Sequence, residues 1–288
     1  MNRQTFRETN TLTVKSTHFG NHIRACNSVA LLLTLFIAAL FLQFDASAKA
    51  ESQDKPTAQI FTIGVEDINY YPYWDFVDRK PGQGILRSIL DDFALRHNYQ
   101  FNYVALPTMR LSHWFDEHKV DFRIPDNPRW HKATPGNLIF SKALLVLPTG
   151  TVVLKKNIAK PIDDFMIIGT LTGFTPSPHW LDASKKQNFE FITDQSIKVL
   201  VRLLFKGVLD GLDLDLYTVR HHALQMGMDA DNLVYARDIP DREIQYYIST
   251  INHSQIIEQF NAYLEENRAF IQNLQVNGIR EFDLLTAF

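Results

Sequence analysis

The chain has 288 residues, of which 45% are hydrophobic, 12% aromatic and 21% charged, a composition typical of a globular protein with a buried core. Lys and Arg total 29 against 32 Asp and Glu, so the net charge is −3, without the basic excess expected of a nucleic-acid-binding protein. The single cysteine, Cys26, excludes an intramolecular disulfide and a zinc site built from several cysteines. From the charge balance we expect no nucleic-acid partner.

The N-terminal fifty residues differ from the rest of the chain. An apolar run at residues 29–44 follows a stretch that carries several basic side chains. The run is shorter than the roughly 20 residues that a membrane-spanning helix usually needs, and small residues at 46–50 offer A-x-A cleavage patterns. We interpret residues 1–50 as an export signal cleaved after Ala48 or Ala50. An uncleaved membrane anchor is the alternative, because the stretch before the run is long.

Removal of residues 1–50 changes the charge balance of what remains. That segment carries five basic and two acidic residues, so the exported part has 24 basic and 30 acidic residues, a net charge of −6 and no cysteine. An anionic ligand would therefore be attracted by local arginines and not by the overall field of the protein.

Predicted strands and helices alternate through the first half of the exported part. Apolar residues indicate a buried strand over 60–65, and they recur at helical spacing over 85–97. The next predicted elements are a strand over 101–106, a helix over 108–118 and a strand over 120–124. This alternation is typical of a parallel sheet covered by helices on both faces.

The same pattern restarts after Pro148 and Gly150. The predicted elements are strands over 151–154, 166–169, 189–192, 212–216, 233–235 and 245–249, and helices over 196–205, 217–226 and 253–277. The exported part is longer than the commonest domain size of about 100–150 residues, which favours two α/β lobes over one.

Four short strings occur at corresponding points of this element order. They are FTIGVEDINYYPYW at 61–74 with GQG at 82–84, LPTMR at 106–110 with KVD at 119–121, IGT at 168–170 followed by Phe174, and KGVLD at 206–210. In order and spacing they resemble the bacterial extracellular solute-binding proteins of family 3, type II periplasmic binding proteins that include the polar amino acid binders of ABC transporters. The resemblance covers nearly all of residues 58–288.

This resemblance implies a fold and a function. The fold is α/β with two lobes, each a mostly parallel sheet flanked by helices, and a ligand cleft between them. The chain would cross between lobes near 147–150 and 240–246, so that 58–147 with 247–288 form lobe one and 150–240 form lobe two. The function is that of a non-catalytic periplasmic protein, a monomer without a cofactor, which captures a small polar ligand by hinge closure.

The ligand and the partner also follow from the resemblance. An amino acid or a related carboxylate is the expected ligand. An ABC permease in the inner membrane is the expected partner, with a membrane sensor as the alternative.

Aromatic and basic residues near the ends of predicted strands are candidates to contact the ligand. Tyr73 and Trp74 follow the first strand, where ligands of parallel α/β sheets bind, unless their loop simply packs on the sheet edge. Arg110 opens the second predicted helix and can hold a carboxylate bidentately; a solvated surface role is the alternative.

Other candidates rest on the resemblance. Arg129 matches the family's carboxylate-binding arginine, although the segment before it is short and lacks Ser and Thr. Asp126 is then an alternative source of contacts, or part of a turn before proline. Asp210 matches the acidic residue that takes a ligand ammonium, unless it is an exposed strand end. Independently of the resemblance, Thr172 and Phe174 belong to a turn whose N–H groups and hydroxyl suit an anion, unless it is a plain turn.

Two rival functions remain open at this stage. One is an enzyme on the same fold, such as a dehydratase, for which Asp126 or Asp210 would be the acid or base. The other is an accessory protein that binds a protein partner. The histidines do not predict a metal site, because His113 and His118 are five apart and do not share a helix face.

Overall fold

The computed structural model describes residues 57–77, 84–131, 137–185, 188–240 and 242–286, and all elements lie in the compact unit Ala58–Phe288. The predicted export signal at 1–50 lies outside the described residues. So do Gly82 and Gln83, two residues of the GQG string that carries part of the family resemblance. Within the described part, no helix combines the length and the apolar character needed to cross a bilayer.

Twelve strands and seven α-helices are described. The strands are β1 (Gln59–Glu66), β2 (Asn69–Tyr70), β3 (Trp74–Asp75), β4 (Tyr99–Leu106), β5 (Phe122–Asp126), β6 (Ile139–Phe140), β7 (Leu145–Leu154), β8 (Ile167–Leu171), β9 (Glu190–Asp194), β10 (Gly211–Leu214), β11 (Leu233–Tyr235) and β12 (Arg242–Thr250). The helices are α1 (Ile85–Arg96), α2 (Trp114–His118), α3 (Pro178–Ala183), α4 (Ile197–Phe205), α5 (Leu216–Gln225), α6 (Ser254–Glu266) and α7 (Arg268–Thr286).

The main sheet consists of two parallel blocks joined by an antiparallel pair. Its order is β4-β1-β5-β12-β7-β10-β8-β9, with β6 beside β12 and β11 beside β7. Strand β1 is parallel to β4 and β5, and β8 is parallel to β9 and β10. Strands β7 and β12 pair antiparallel from Leu145 opposite Tyr246 to Thr149 opposite Arg242. The chain therefore leaves the first block along β7 and returns to it along β12.

Helix α1 shows how the periodic apolar residues build the core of the first block. Its buried residues are Ile85, Leu86, Ile89, Leu90, Phe93 and Ala94, which share one face at helical spacing. Burial of each large side chain contributes about 1.5–3 kcal/mol. Gly84 precedes the helix at φ 89°, and a Cβ there would lie 2.7 Å from the Trp74 Cα. Glycine is thus needed where α1 begins against the aromatic loop.

Two predicted helices differ from the structure. The helix predicted over 108–118 is a 3-10 helix over Thr108–His113 followed by α2, because Arg110 leaves helical geometry at φ −105° and ψ 15°. Leu111 and Trp114, three residues apart, are both buried, which suits the 3-10 repeat. The helix predicted over 253–277 is two helices, α6 and α7. They separate at Asn267, where the backbone leaves helical geometry at φ −110° and ψ 24°.

Candidate functional site

A cavity of about 300 Å³ lies where the two parallel blocks meet strand β12. Its polar lining residues are Glu66, Thr108, Ser112, His131 and Thr175. Its apolar lining residues are Met109, Leu111, Trp130, Phe174, Ile244 and Tyr246. These residues follow β1, β4, β5 and β8 or lie on β12, so the cavity sits at the carboxyl ends of parallel strands, where α/β sheets bind ligands. Its size suits a small molecule.

Glu66 ends β1 and is the ionisable acid of the cavity wall. Its side chain is only 1% exposed, and its Oε2 has no hydrogen-bond partner among the described residues. The indole of Trp74 lies beside the carboxyl, yet its Nε1 is also without a partner there. Burial, with a contribution from the charge of Asp126, raises the pKa of Glu66 to about 8. The Oγ1 of Thr108 is a further unpaired polar atom of the wall.

Asp126 ends β5 and is fully buried, but both of its carboxylate oxygens are occupied. Oδ2 accepts from Arg123 Nε at 2.8 Å and Nη2 at 2.6 Å, and from the Ser249 hydroxyl. Oδ1 accepts from the Asn127 N–H at 2.7 Å and lies 2.8 Å from His131 Nε2. Asp126 therefore acts on the cavity indirectly, since it positions His131 in the wall.

Arg123 is held from several sides. Besides Asp126, its guanidinium donates to the Leu111 carbonyl at 2.7 Å and lies over the Phe115 ring, and the residue is 2% exposed. Burial lowers its pKa, although Asp126 opposes that shift. All this leaves Arg123 as the cation that balances Asp126 inside the fold.

The aromatic loop after β1 packs against the start of α5. Asp215, which precedes α5, accepts from the Thr218 N–H at 2.9 Å and from the Tyr73 hydroxyl at 3.1 Å. Its own N–H donates to the Tyr70 hydroxyl at 3.2 Å, and His222 Nε2 lies 2.9 Å from the Asn69 carbonyl oxygen. Burial raises the pKa of Asp215 to about 6, while these hydrogen bonds act in the opposite direction. This contact joins the first block to the second.

Two of the sequence-predicted ligand residues lie inside that contact. Tyr73 is 1% exposed and bound to Asp215, whereas Trp74 is fully buried and stacks on Tyr70 with ring centroids 4.5 Å apart. Both lie behind the cavity wall and support it.

The predicted turn after β8 and the predicted Arg129 do reach cavities. Phe174 lines the 300 Å³ cavity, with its ring 5.9 Å from that of Tyr70. Thr172 lies in the same turn, where its N–H donates to the Asp194 carbonyl at 3.0 Å. Arg129 lines a separate cavity of about 30 Å³ that shares Trp130, Thr175 and Ile244 with the larger one.

The remaining predicted residues lie elsewhere. Arg110 has a side chain 58% exposed and pairs with Glu117 at 2.6 Å. Asp210 pairs with Lys160 and accepts from the N–H groups of Met166 and Ile167, which ties β8 to the segment before β10. Burial acts to raise the pKa of Asp210, but these partners lower it on balance. Neither residue lines a cavity described above.

Sequence reasoning did not select Glu66 or Thr108 as site residues. A signal for both was available, because each stands directly at or after the carboxyl end of a strand, Glu66 on β1 and Thr108 after β4. Burial of a carboxyl at the end of an otherwise apolar strand costs free energy unless the carboxyl is paired within the protein or by a ligand. Among the described residues, no group of three or more His, Cys, Asp or Glu is placed to hold a metal ion.

Comparison with known proteins gives a fold. No family model and no curated protein matches the chain. Among solved structures, holo ArgBP from T. maritima is 17% identical, with a TM-score of 0.56 over 73% of this chain and 90% of that one. The amino acid ABC transporter substrate-binding protein AbpA from Streptococcus pneumoniae, bound to L-arginine, is 13% identical, with a TM-score of 0.58 over 77% and 95%.

A third similar structure is the GluR0 ligand binding core in complex with L-glutamate. It is 15% identical, with a TM-score of 0.57 over 78% of this chain and 97% of that one. Together with the sheet topology, these likenesses confirm the predicted α/β, two-lobe periplasmic-binding-protein fold, and they confirm the resemblance to solute-binding proteins at the level of the fold.

Proposed function

We propose that the protein captures a small polar ligand of amino-acid size in the 300 Å³ cavity, as a solute-binding protein. The observation that supports this most directly is the cavity wall, where the lining residues Glu66 and Thr108, at the carboxyl ends of β1 and β4, each carry a buried polar atom without a hydrogen-bond partner. Unpaired buried polar atoms cost free energy, and a ligand that pairs with them recovers it. Amino acids and small carboxylates are the first ligands to screen, since similar structures hold arginine and glutamate.

Closure of two lobes is the proposed mode of capture. We assign 58–147 with 247–288 to lobe one and 150–240 to lobe two, with the antiparallel pair β7–β12 as the connection. The cavity takes wall residues from both sides of that connection, for example Thr108 and Phe174. Rotation about β7 and β12 would open the cavity to the ligand, and closure would remove water and strengthen polar contacts.

Location and partner are part of the same proposal. The apolar run at 29–44 and the small residues at 46–50 support export to the periplasm. An inner-membrane ABC permease would then accept the ligand, with a sensor protein as the alternative partner, and the binding protein would act as a monomer.

A thermal-shift screen of the purified protein tests ligand capture. A ligand at about 100 times its Kd stabilises the folded state by about 2.7 kcal/mol, which raises the Tm by about 5 °C or more for a chain of this size. The screen covers amino acids, small organic acids, amines and oligosaccharides. An unchanged Tm with every compound would contradict the proposal.

The two carboxylates named for the rival enzyme function do not support it. The two carboxylates that a dehydratase would use are both engaged, Asp126 by Arg123 and Ser249 and Asp210 by Lys160. A general acid or base must be able to reach the proton that it transfers. Incubation of the protein with prephenate and arogenate checks this directly, and turnover of either would contradict the proposed binding role.

A further inference from the structure

The charge of the cavity wall restricts the class of ligand more closely than the volume of the cavity does. Glu66 is buried in the wall with one oxygen unpaired, and no Lys or Arg lines the cavity among the residues that the structure describes. Arg123 lines an adjoining cavity of about 630 Å³ that shares Trp130 and His131 with this one, but its guanidinium is paired with Asp126. Arg129 lines the neighbouring 30 Å³ cavity. A ligand carboxylate here would be desolvated close to Glu66 without a cationic partner, which is strongly unfavourable.

The aromatic residues of the wall favour the opposite charge. Trp130 follows β5, Phe174 lies in the turn after β8 and Tyr246 lies on β12, and all three line the cavity. The rings of Trp130 and Tyr246 lie 5.9 Å apart at 65°, so they present differently oriented surfaces. Aromatic faces attract organic cations through their quadrupole, most strongly where water is excluded. A carboxyl and three aromatic rings thus converge on one small volume.

We propose that the ligand is an organic cation without a free carboxylate, whose ammonium or guanidinium group contacts Glu66 while its body packs against Trp130, Phe174 and Tyr246. The Thr108 hydroxyl supplies a second polar contact. This inference rests on the proposed function, because it names the class of ligand that the same cavity takes. It departs from the carboxylate-bearing ligand that the sequence predicts.

The surroundings of Glu66 are consistent with this assignment. Burial and the charge of Asp126 raise its pKa, and Tyr246 and His131 are the other titratable groups of the wall. A cation within hydrogen-bond distance would stabilise the ionised carboxyl and displace its proton. The carboxyl then exchanges a proton for the ligand's positive charge, so the bound cavity remains close to neutral.

Matched pairs of amine and amino acid test the inference on the full chain by isothermal titration calorimetry. The pairs are agmatine with L-arginine, cadaverine with L-lysine and phenethylamine with L-phenylalanine, which differ only by the carboxylate. We expect the amine of at least one pair to bind about tenfold or more tightly than its amino acid. Equal or tighter binding of the amino acid in every pair would overturn the inference and leave the proposed function intact.

Failure of the two proposals can be told apart. If none of the six compounds binds but an organic acid or a sugar raises the Tm, the inference is wrong and ligand capture stands. If no compound of either panel binds, the proposed function and the inference both fail.

The variant E66Q tests whether the Glu66 carboxylate binds the amine. It removes the carboxylate but keeps the shape of the side chain, so it should weaken amine binding by about tenfold or more. The matched control is E117Q, at an exposed carboxylate paired with Arg110, which should bind within about twofold of the parent protein. Trp130→Leu should also weaken amine binding, although it leaves the charge of the cavity wall unchanged. Amine affinity unchanged in both E66Q and Trp130→Leu would overturn the assignment.

Discussion

Two regions of the cleft hold buried carboxyl groups in opposite circumstances. Asp215, in the packed contact between the aromatic loop and α5, is fully buried and accepts from Thr218 and Tyr73. Glu66, in the wall of the open cavity, is just as buried but has an oxygen without a partner. Burial alone therefore does not separate a structural carboxyl from one that binds a ligand. The number of partners does, because a saturated carboxylate has no acceptor site left to offer.

Both oxygens of the buried Asp126 carboxylate have partners, so its loss should have the largest effect on stability. Asp126→Ala leaves the Arg123 guanidinium buried without its counter-ion, so we expect the free energy of unfolding to fall by about 3–5 kcal/mol. Urea denaturation followed by circular dichroism measures this. Glu117→Ala, which breaks an exposed pair with Arg110, should cost less than about 1 kcal/mol. Similar losses in both variants would contradict the view that the buried Asp126–Arg123 pair matters more for stability than the exposed Glu117–Arg110 pair.

The packed contact itself can be weakened at one atom. Tyr73→Phe removes the hydroxyl that donates to Asp215 and leaves that carboxyl less well paired, so we expect a loss of about 1.5–3 kcal/mol in the free energy of unfolding. The control is Tyr247→Phe, since the Tyr247 hydroxyl donates to Gln245 at the surface. A loss at Tyr73 no larger than at Tyr247 would show that the contact adds little.

Above pH 6.5, Glu66 should impose a pH dependence of stability that Asp215 does not. Its pKa rises from 4.5 to about 8 on folding, so the folded state binds the extra proton and stability falls as pH rises between those values. The raised pKa of Asp215, about 6, adds a similar loss that is nearly complete by pH 6.5. Between pH 6.5 and 8 we expect a loss of about 1–2 kcal/mol, at up to about 1.4 kcal/mol per pH unit.

The variant E66Q isolates that contribution. Its free energy of unfolding, measured by urea denaturation at pH 6.5, 7 and 8, should be nearly constant where that of the parent protein declines. Parallel profiles for the two proteins would mean that Glu66 is already ionised at neutral pH in the folded state.

The smallest effects should come from predicted site residues that lie away from the cavity. Arg110→Ala and Asp210→Asn should leave ligand affinity within about twofold, because Arg110 is exposed and Asp210 is bound to Lys160. Thr108→Val, on the same 3-10 helix as Arg110, should weaken binding severalfold, because it removes the unpaired hydroxyl of a residue that lines the cavity. Calorimetry with the tightest ligand of the screen compares the three. A larger effect at Arg110 than at Thr108 would relocate the site.

Local patterns predicted most of the elements because the core repeats along the sequence. The apolar spacing of α1 and of α4 places their buried residues on one face, so helices were found within a residue or two of their observed ends. The break at Asn267 and the 3-10 geometry near Arg110 escaped prediction, since the apolar spacing of a helix continues across both. Arg110 thus faces solvent although its neighbours Thr108 and Met109 line the cavity.

The sequence by itself determined the two-lobe α/β architecture and the expectation of a binding site at the carboxyl ends of strands. Periodicity and element order carry that information, because each strand and helix must bury one face wherever it lies. Only the tertiary structure decided which carboxyl is available. Asp126, Asp210 and Glu66 look alike along the chain. Long-range partners such as Ser249 and Lys160 saturate the first two, and the space beside Glu66 stays open.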